Sequence, residues 1–225
     1  MSNNKQSSSI KHPAMYTNSF IPKFAEILIG CENVLDVFGG TGKLALIKEY
    51  GFCGKVVCNE LEKEWVETSP YNVDEWHIGD AEKMDWAKNN TFDAICTSPT
   101  YGNRMADHYN AKDGSKRITY KHYLGRNLDD ANTGKMQWGD KYREKHIKIY
   151  KECIRVLKIG GLMVLNVSNH IRNGEVINVV DWHKEALMQL GMMFIEEIKI
   201  ETPRMGFGKN YKSRVEHESI LIFKH

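Results

Sequence analysis

The feature that most constrains this chain is a repeated alternation: a short apolar run, a turn carrying Gly, Asp, Glu or Ser, then in most cases a segment of helical period. Ile21 to Ile29 opens the pattern with apolar residues at helical spacing. Asn33 to Phe38 is a strand-like run that enters Gly39-Gly40-Thr41-Gly42, and Lys43 to Tyr50 follows as a helix closed by Gly51. Lys55 to Asn59 ends at Glu60, Trp76 to Ile78 precedes Gly79-Asp80, and Phe92 to Thr97 precedes Ser98-Pro99. Tyr142 to Leu157 reads as an amphipathic helix with Ile147, Tyr150, Ile154 and Leu157 on one face, ended by Gly160-Gly161. Leu162 to Val167 is a strongly apolar strand, and Val179 to Leu190 is a helix closed by Gly191. Phe194 to Ile200 and Ser219 to Phe223 are strands without a helical pattern between them. Strands covered on both faces read as near-continuous apolar runs, and strands alternating with helices build parallel sheets. The expected fold is therefore α/β: a doubly wound, seven-stranded, mostly parallel sheet whose last two strands form an antiparallel pair at one edge.

A chain of 225 residues with no visible linker fits a single domain, and its 41% hydrophobic content supplies a core. The formal charge of +2 permits a nucleic-acid partner without demanding one. The five cysteines, Cys31, Cys53, Cys58, Cys96 and Cys153, are scattered and mostly inside apolar runs, which reads as free thiols rather than a metal site or a disulfide framework. No apolar run is long enough to span a membrane and no signal peptide is discernible, so a soluble cytoplasmic protein is expected. The polar segment Met1 to Ser9 is expected to be disordered.

In doubly wound sheets ligands bind beyond the carboxyl ends of the strands, so the residues there carry the functional signal. The turn Asp36-Val37-Phe38-Gly39-Gly40-Thr41-Gly42 allows close backbone approach to a ligand. It is not a phosphate-cradling loop, because Val37 stands where the first glycine belongs and Leu44 where Ser or Thr should follow Lys43. Asp36 would repel a pyrophosphate and attract an amino group. Glu60, ending the second strand, is suited to accept hydrogen bonds from ribose hydroxyls, a feature dehydrogenases and methyltransferases share. Asp80 either accepts from an adenine amino group or caps the next turn.

The fourth strand ends in Ser98-Pro99-Thr100-Tyr101. With the Asp36, Phe38, Gly40 and Gly42 turn preceding it, this tetrapeptide resembles the signature of the amino-methyltransferases of DNA: Asp, Asn or Ser, then Pro-Pro, then an aromatic, with Thr100 here in place of the second proline. The segment from His12-Pro13 through Phe20 resembles the family's upstream cofactor motif, and the chain looks like the compact phage-type members. The resemblance implies a Rossmann-like fold and S-adenosylmethionine as cofactor, held by Phe20, Asp36, Phe38, Gly40, Gly42, Glu60 and Asp80, with no metal. It implies catalysis by Ser98, Pro99 and Tyr101 on an exocyclic amino group of a base flipped out of DNA. An aromatic amino group is a poor nucleophile because its lone pair is delocalised. Ser98 Oγ and the Pro99 carbonyl are suited to accept its protons and draw the nitrogen toward sp³ geometry, and Tyr101 to stack on the base. The leading serine resembles cytosine-N4 enzymes slightly more than adenine-N6 enzymes.

From Gly102 to Lys141 the alternation breaks into an irregular, basic and aromatic stretch, the candidate recognition region in the absence of a separate recognition domain. Thr100, Asn103, Arg104, Arg117, Tyr120, Asn169 and His170 are the expected substrate contacts, His170 not as a base. Lys112, Lys116, Lys121 and Arg126 are further candidates for phosphates, and Tyr109, Tyr123 and Trp138 for bases. The basic loop from Pro203 to Arg214 is a second candidate surface. The rival readings are an RNA base methyltransferase, a protein-glutamine methyltransferase, an inactive nucleic-acid-binding module of the same fold, and a nicotinamide-dependent oxidoreductase, in which the tetrapeptide has no role.

Overall fold

In the computed structural model the described residues are 16–102, 123–172, 174–202 and 215–225. The expected disorder of Met1 to Ser9 lies outside them. Strands β1 (Asn33–Asp36), β2 (Lys55–Glu60), β3 (Glu75–Ile78), β4 (Phe92–Thr97), β5 (Leu157–Val167), β8 (Met193–Glu201) and β9 (His217–Lys224) form one seven-stranded sheet in the order β3-β2-β1-β4-β5-β9-β8. The first five pair in parallel; β9 runs antiparallel to both β5 and β8, so the closing pair sits at one edge with its reversed strand one place in from that edge. A two-stranded hairpin of β6 (His170–Arg172) and β7 (Glu175–Ile177), which the hydrophobic pattern does not announce, follows β5.

Helices cover both faces. On one face α1 (Phe20–Ile27) and a 3-10 helix (Lys43–Tyr50) bury Phe20, Phe24, Leu44 and Ile47 against Val34, Val56, Ala94 and Val164. On the other, the long helix α3 (Asp140–Val156) and α4 (Val179–Gln189) bury Ile149, Tyr150, Cys153 and Leu187 against Leu35, Val57, Ile95, Met163 and Leu165. A short helix, α2 (Lys63–Glu67), follows β2. Neighbouring residues such as Val34 and Leu35 enter opposite cores because side chains alternate across a strand. The central strands β1, β2, β4 and β5 are largely buried on both faces, which is why they read as apolar runs.

Two boundaries differ from the sequence expectation. The buried residues of α3 are Tyr142, Lys145, His146, Ile149, Tyr150, Cys153 and Val156, while Ile147 and Ile154 are half-buried. Counting apolar residues overlooks Tyr142 and His146, which are fully buried; the Tyr142 hydroxyl and His146 Nδ1 find partners inside, while His146 Nε2 finds none among the described residues. The helix ends at Val156 and the chain enters β5 at once, pairing Leu157 with Phe92 before the register shifts and Ala94 pairs with Leu162. Gly160 and Gly161 therefore lie within β5, at that irregularity, rather than ending the helix.

A Cβ on Gly161 would lie 2.8 Å from the Asp93 carbonyl oxygen and 2.9 Å from that of Lys158. Gly161→Ala is expected to lower unfolding free energy by about 1–3 kcal/mol at unchanged denaturant slope, since backbone must move to admit the methyl group. Equilibrium urea unfolding checks this; a loss below about 0.5 kcal/mol would contradict it.

Candidate active site

The strand order reverses between β1 and β4: the chain proceeds outward through β2 and β3 on one side and through β5 on the other. A crevice opens where loops part in this way. Both motif-bearing loops leave the sheet there, the glycine turn from β1 and the tetrapeptide from β4.

Buried hydrogen bonds join the two loops. Thr97 Oγ1 donates to Asp36 Oδ1 at 2.6 Å and accepts from the Phe38 amide at 3.2 Å. Asp36 Oδ1 also accepts from the Phe38 amide at 3.1 Å, and Oδ2 accepts from the Tyr16 hydroxyl at 3.1 Å. Asp36 is fully buried, and burial raises its carboxyl to about 6 against the lowering pull of these bonds. Glu60 repeats the arrangement one strand over: Oε2 accepts from the Gly40 amide at 2.7 Å, and Oε1 from the Leu61 and Glu62 amides, each at 2.9 Å. Burial raises Glu60 to about 7. Among the described residues neither carboxylate forms an ion pair.

The glycines have two uses. Gly40 and Gly42 take positive φ, +54° and +82°, which side-chain-bearing residues rarely adopt. A Cβ on Gly42 would also lie 2.5 Å from Val73 Cγ2 and 2.7 Å from Trp76 Cζ2, so the turn seats on Trp76. Phe38 is half-buried, its ring 5.9 Å from that of His146. Phe20 is fully buried in the apolar core, in one cluster with Phe24, Leu28 and Leu44. Asp80 accepts from the Glu82 amide at 3.0 Å, as a turn cap, and pairs with Lys145 at 2.6 Å.

The tetrapeptide faces a polar group that sequence reasoning missed. Ser98 Oγ lies 3.4 Å from the Tyr101 hydroxyl, which donates to Glu218 Oε2 at 3.2 Å and lies 3.5 Å from Asn166 Oδ1. Asn166 Nδ2 donates to the same Glu218 oxygen at 3.3 Å. Asn166 and Glu218 come from β5 and β9, and no local motif marks them. Their signal is positional, near the ends of apolar strands that point at the crevice. Asn169 Oδ1 accepts from the Val180 amide at 2.9 Å and so holds the start of α4; His170 is half-buried in β6, and burial lowers its pKa.

Asn103, Arg104, Lys112, Lys116, Arg117, Tyr109, Tyr120 and Lys121 lie outside the described residues, as do Pro203 to Arg214. The described remainder of the irregular stretch is anchored beside Glu60. Glu62, 1% exposed, accepts from the Asp129 amide and Asn132 Nδ2 at 2.9 Å and pairs with Arg126 at 2.7 Å. Arg126 also pairs with Glu64, so it is engaged by carboxylates rather than held out for phosphates. Tyr123 packs with Trp65 and Leu128, and Trp138 with Tyr142 and Trp182.

The donor set fits a cationic nucleoside ligand such as S-adenosylmethionine. Two buried carboxylates, Asp36 and Glu60, which have no counter-cation among the described residues, flank a glycine turn. Thr41 Oγ1 in that turn and Thr100 Oγ1 in the tetrapeptide are buried without a hydrogen-bond partner. A positive charge offsets the first and polar ligand atoms satisfy the second. Among the described residues no group of three or more His, Cys, Asp or Glu side chains is placed to hold a metal, and no helix is long and apolar enough to cross a membrane.

Residues 92–225 match the family model of the N6/N4 type described as DNA methylase. No curated protein sequence matches the chain. Among solved structures, the chain is similar to a methyltransferase from Pyrococcus furiosus, with 20% identity over 95% of this chain and 86% of that one at a TM-score of 0.55. It is similar to the N-methyltransferase NodS from Bradyrhizobium japonicum in complex with S-adenosylhomocysteine, with 10% identity over 92% and 84% at a TM-score of 0.52. The [4+2]-cyclase SpnF aligns at 15% identity over 92% and 80% with a TM-score of 0.58. These likenesses establish the fold; fold alone does not assign chemistry.

A carboxyl whose folded pKa lies above its unfolded value binds its proton more tightly in the native state. Its contribution to stability is complete below the unfolded pKa and is lost as pH rises through the folded one. For Glu60 that window runs from 4.5 to about 7. In the absence of cofactor, wild type is expected to lose up to roughly 3 kcal/mol relative to Glu60→Gln between those limits. Urea unfolding across the range tests this; a difference independent of pH would contradict it.

Proposed function

The chain belongs to the DNA methylase family, and from that premise we propose that it methylates an exocyclic amino group of a DNA base, with cytosine N4 favoured over adenine N6. It is an S-adenosylmethionine-dependent methyltransferase. The observation that carries the reading is the pairing of the glycine turn and the Ser98-Pro99-Thr100-Tyr101 turn on adjacent strand ends at the switch point, bridged by Thr97 and Asp36.

Asp36 and Glu60 would hold the cationic and ribose parts of the cofactor, with Phe38, Gly40, Gly42 and Asp80 around them. When bound, S-adenosylmethionine supplies an electrophilic methyl group on its sulfonium. The chain's own part is to position and polarise the amino group. The Pro99 carbonyl accepts one amino proton and, as proline has no N–H, Pro99 offers no competing donor. Ser98 both donates and accepts, so it serves as an acceptor only when its own proton points elsewhere. Glu218, when ionised, only accepts, which draws the Tyr101 hydroxyl proton toward it. The Tyr101 oxygen can then accept from the Ser98 hydroxyl, which leaves Ser98 lone pairs for the substrate. The lone pair of the amino nitrogen is thereby directed at the methyl group, and catalysis rests on orientation and electrostatics rather than a strong base. A base in a duplex reaches such a site only by leaving the stack, and the Tyr101 ring is suited to stack on it. The tetrapeptide's leading serine supports cytosine N4, by resemblance.

Radiolabelled methyl transfer from S-adenosylmethionine to DNA tests the assignment. Ser98→Ala is expected to lower kcat about 10- to 100-fold with cofactor binding unchanged, and Tyr101→Phe, which keeps the ring, about tenfold. Wild-type rates in Ser98→Ala would sink the site assignment.

A further inference from the structure

The tetrapeptide here lacks the second proline that would stiffen it, and a buried hydrogen-bond chain ends on the residue that stands in its place. The Tyr142 hydroxyl donates to the Thr100 carbonyl oxygen. The same hydroxyl lies 3.0 Å from His183 Nε2, and His183 Nδ1 lies 2.5 Å from the Tyr150 hydroxyl. Tyr142, His183 and Tyr150 are all fully buried. Their protons follow from counting. Tyr142 has one proton and gives it to Thr100, so His183 Nε2 must donate to the Tyr142 oxygen. Burial drives the His183 pKa well down, so the ring is neutral and Nδ1 is an acceptor. Tyr150 must then donate to Nδ1. Every bond runs one way, from Tyr150 through His183 and Tyr142 to Thr100, an arrangement in which each bond polarises the next. His146 takes no part, because its Nδ1 faces the Tyr142 backbone carbonyl at 2.8 Å.

We propose that Tyr142, His183 and Tyr150 are positioning residues that lock the catalytic turn, supplying through hydrogen bonds the stiffness that a second proline would supply covalently. Pro99 has a fixed φ, and Ser98, as the residue before it, is restricted as well. The relay pins the next carbonyl. The Trp138 amide pins the one after Tyr101, donating to the Gly102 carbonyl at 2.7 Å. Gly102 has φ +66°, and a Cβ there would lie 2.9 Å from Trp138 N, so the backbones are in close contact. The Pro99 carbonyl and the Tyr101 ring are thus bracketed from both sides, and the relay extends that bracket into α3 and α4. This inference rests on the methyl-transfer reading of the tetrapeptide.

Tyr142→Phe removes only the hydroxyl. On DNA that wild type methylates, kcat is expected to fall about 10- to 100-fold while KM for S-adenosylmethionine and for DNA each stay within about threefold. Amide exchange at Tyr101 and Gly102, followed by NMR, is expected to speed up about tenfold. Tyr150→Phe leaves Tyr142 on Thr100 and should give a smaller change in the same direction; it carries the test if Tyr142→Phe does not fold. Thr100→Pro added to Tyr142→Phe is expected to recover kcat. Wild-type kcat and exchange in Tyr142→Phe would overturn the proposal, as would a lowered melting temperature with unchanged kcat. Exchange needs no substrate: a wild-type chain that methylates no nucleic acid would overturn the functional reading, while exchange at Tyr101 and Gly102 would still decide the relay.

Discussion

The site depends on one buried contact, the hydrogen bond from Thr97 to Asp36 that ties the end of β4 to the end of β1. These strands are neighbours at the place where the sheet changes direction, so their loops would otherwise diverge. Thr97 also accepts from the Phe38 amide, which makes the glycine turn and the tetrapeptide parts of one hydrogen-bonded unit. An uncompensated buried carboxylate is costly, and here the cost is left partly unmet: donors surround Asp36 and Glu60, yet burial still lifts both well above the ordinary carboxylate range. A cationic ligand would relieve that imbalance.

Much of this was legible in the sequence for simple reasons. A strand covered on both faces must be apolar, so β1, β2, β4 and β5 stand out. Residues at their ends escape that demand, so Asp36, Glu60 and Ser98 stand out against them. What stayed hidden was encoded by pairing rather than by pattern. Glu62 and Glu64 follow Glu60 and look like a solvated run of charge, yet Glu62 is buried because a segment more than sixty residues later brings it Arg126, Asn132 and the Asp129 amide. Glu218 reaches Tyr101 across |i−j| = 117. The α3 stripe was misjudged for a related reason: Tyr142 and His146 are fully buried, with the Tyr142 hydroxyl and His146 Nδ1 hydrogen-bonded inside, and a hydropathy count files them with the surface. The reversed strand of the closing pair, β9, inserts between β5 and β8, a choice of edge order that periodicity does not carry.

The same physics organises the segment after the tetrapeptide. An irregular stretch is entropically expensive to order, and its described part is held by strong polar contacts to the β2 corner together with the small apolar cluster of Trp65, Leu128, Tyr123 and Leu124. Arg126 and Trp138, which composition alone would assign to nucleic acid, serve the fold: the first binds Glu62 and Glu64, the second clamps Gly102 and joins the aromatic cluster with Tyr142 and Trp182. Sequence-based candidates for recognition in this region are therefore sorted by whether their polar groups already have partners.

The central claim is that the crevice between β1 and β4 directs methyl transfer to a base amino group. The most direct measurement is mass spectrometry of nucleosides released from DNA and from RNA after incubation with the chain and S-adenosylmethionine carrying a labelled methyl group. The account predicts a labelled N4-methylcytosine or N6-methyladenine nucleoside from DNA, the former favoured, and none from the Ser98→Ala protein. Label on a ring carbon, on RNA alone, or on no nucleoside despite cofactor binding would contradict it.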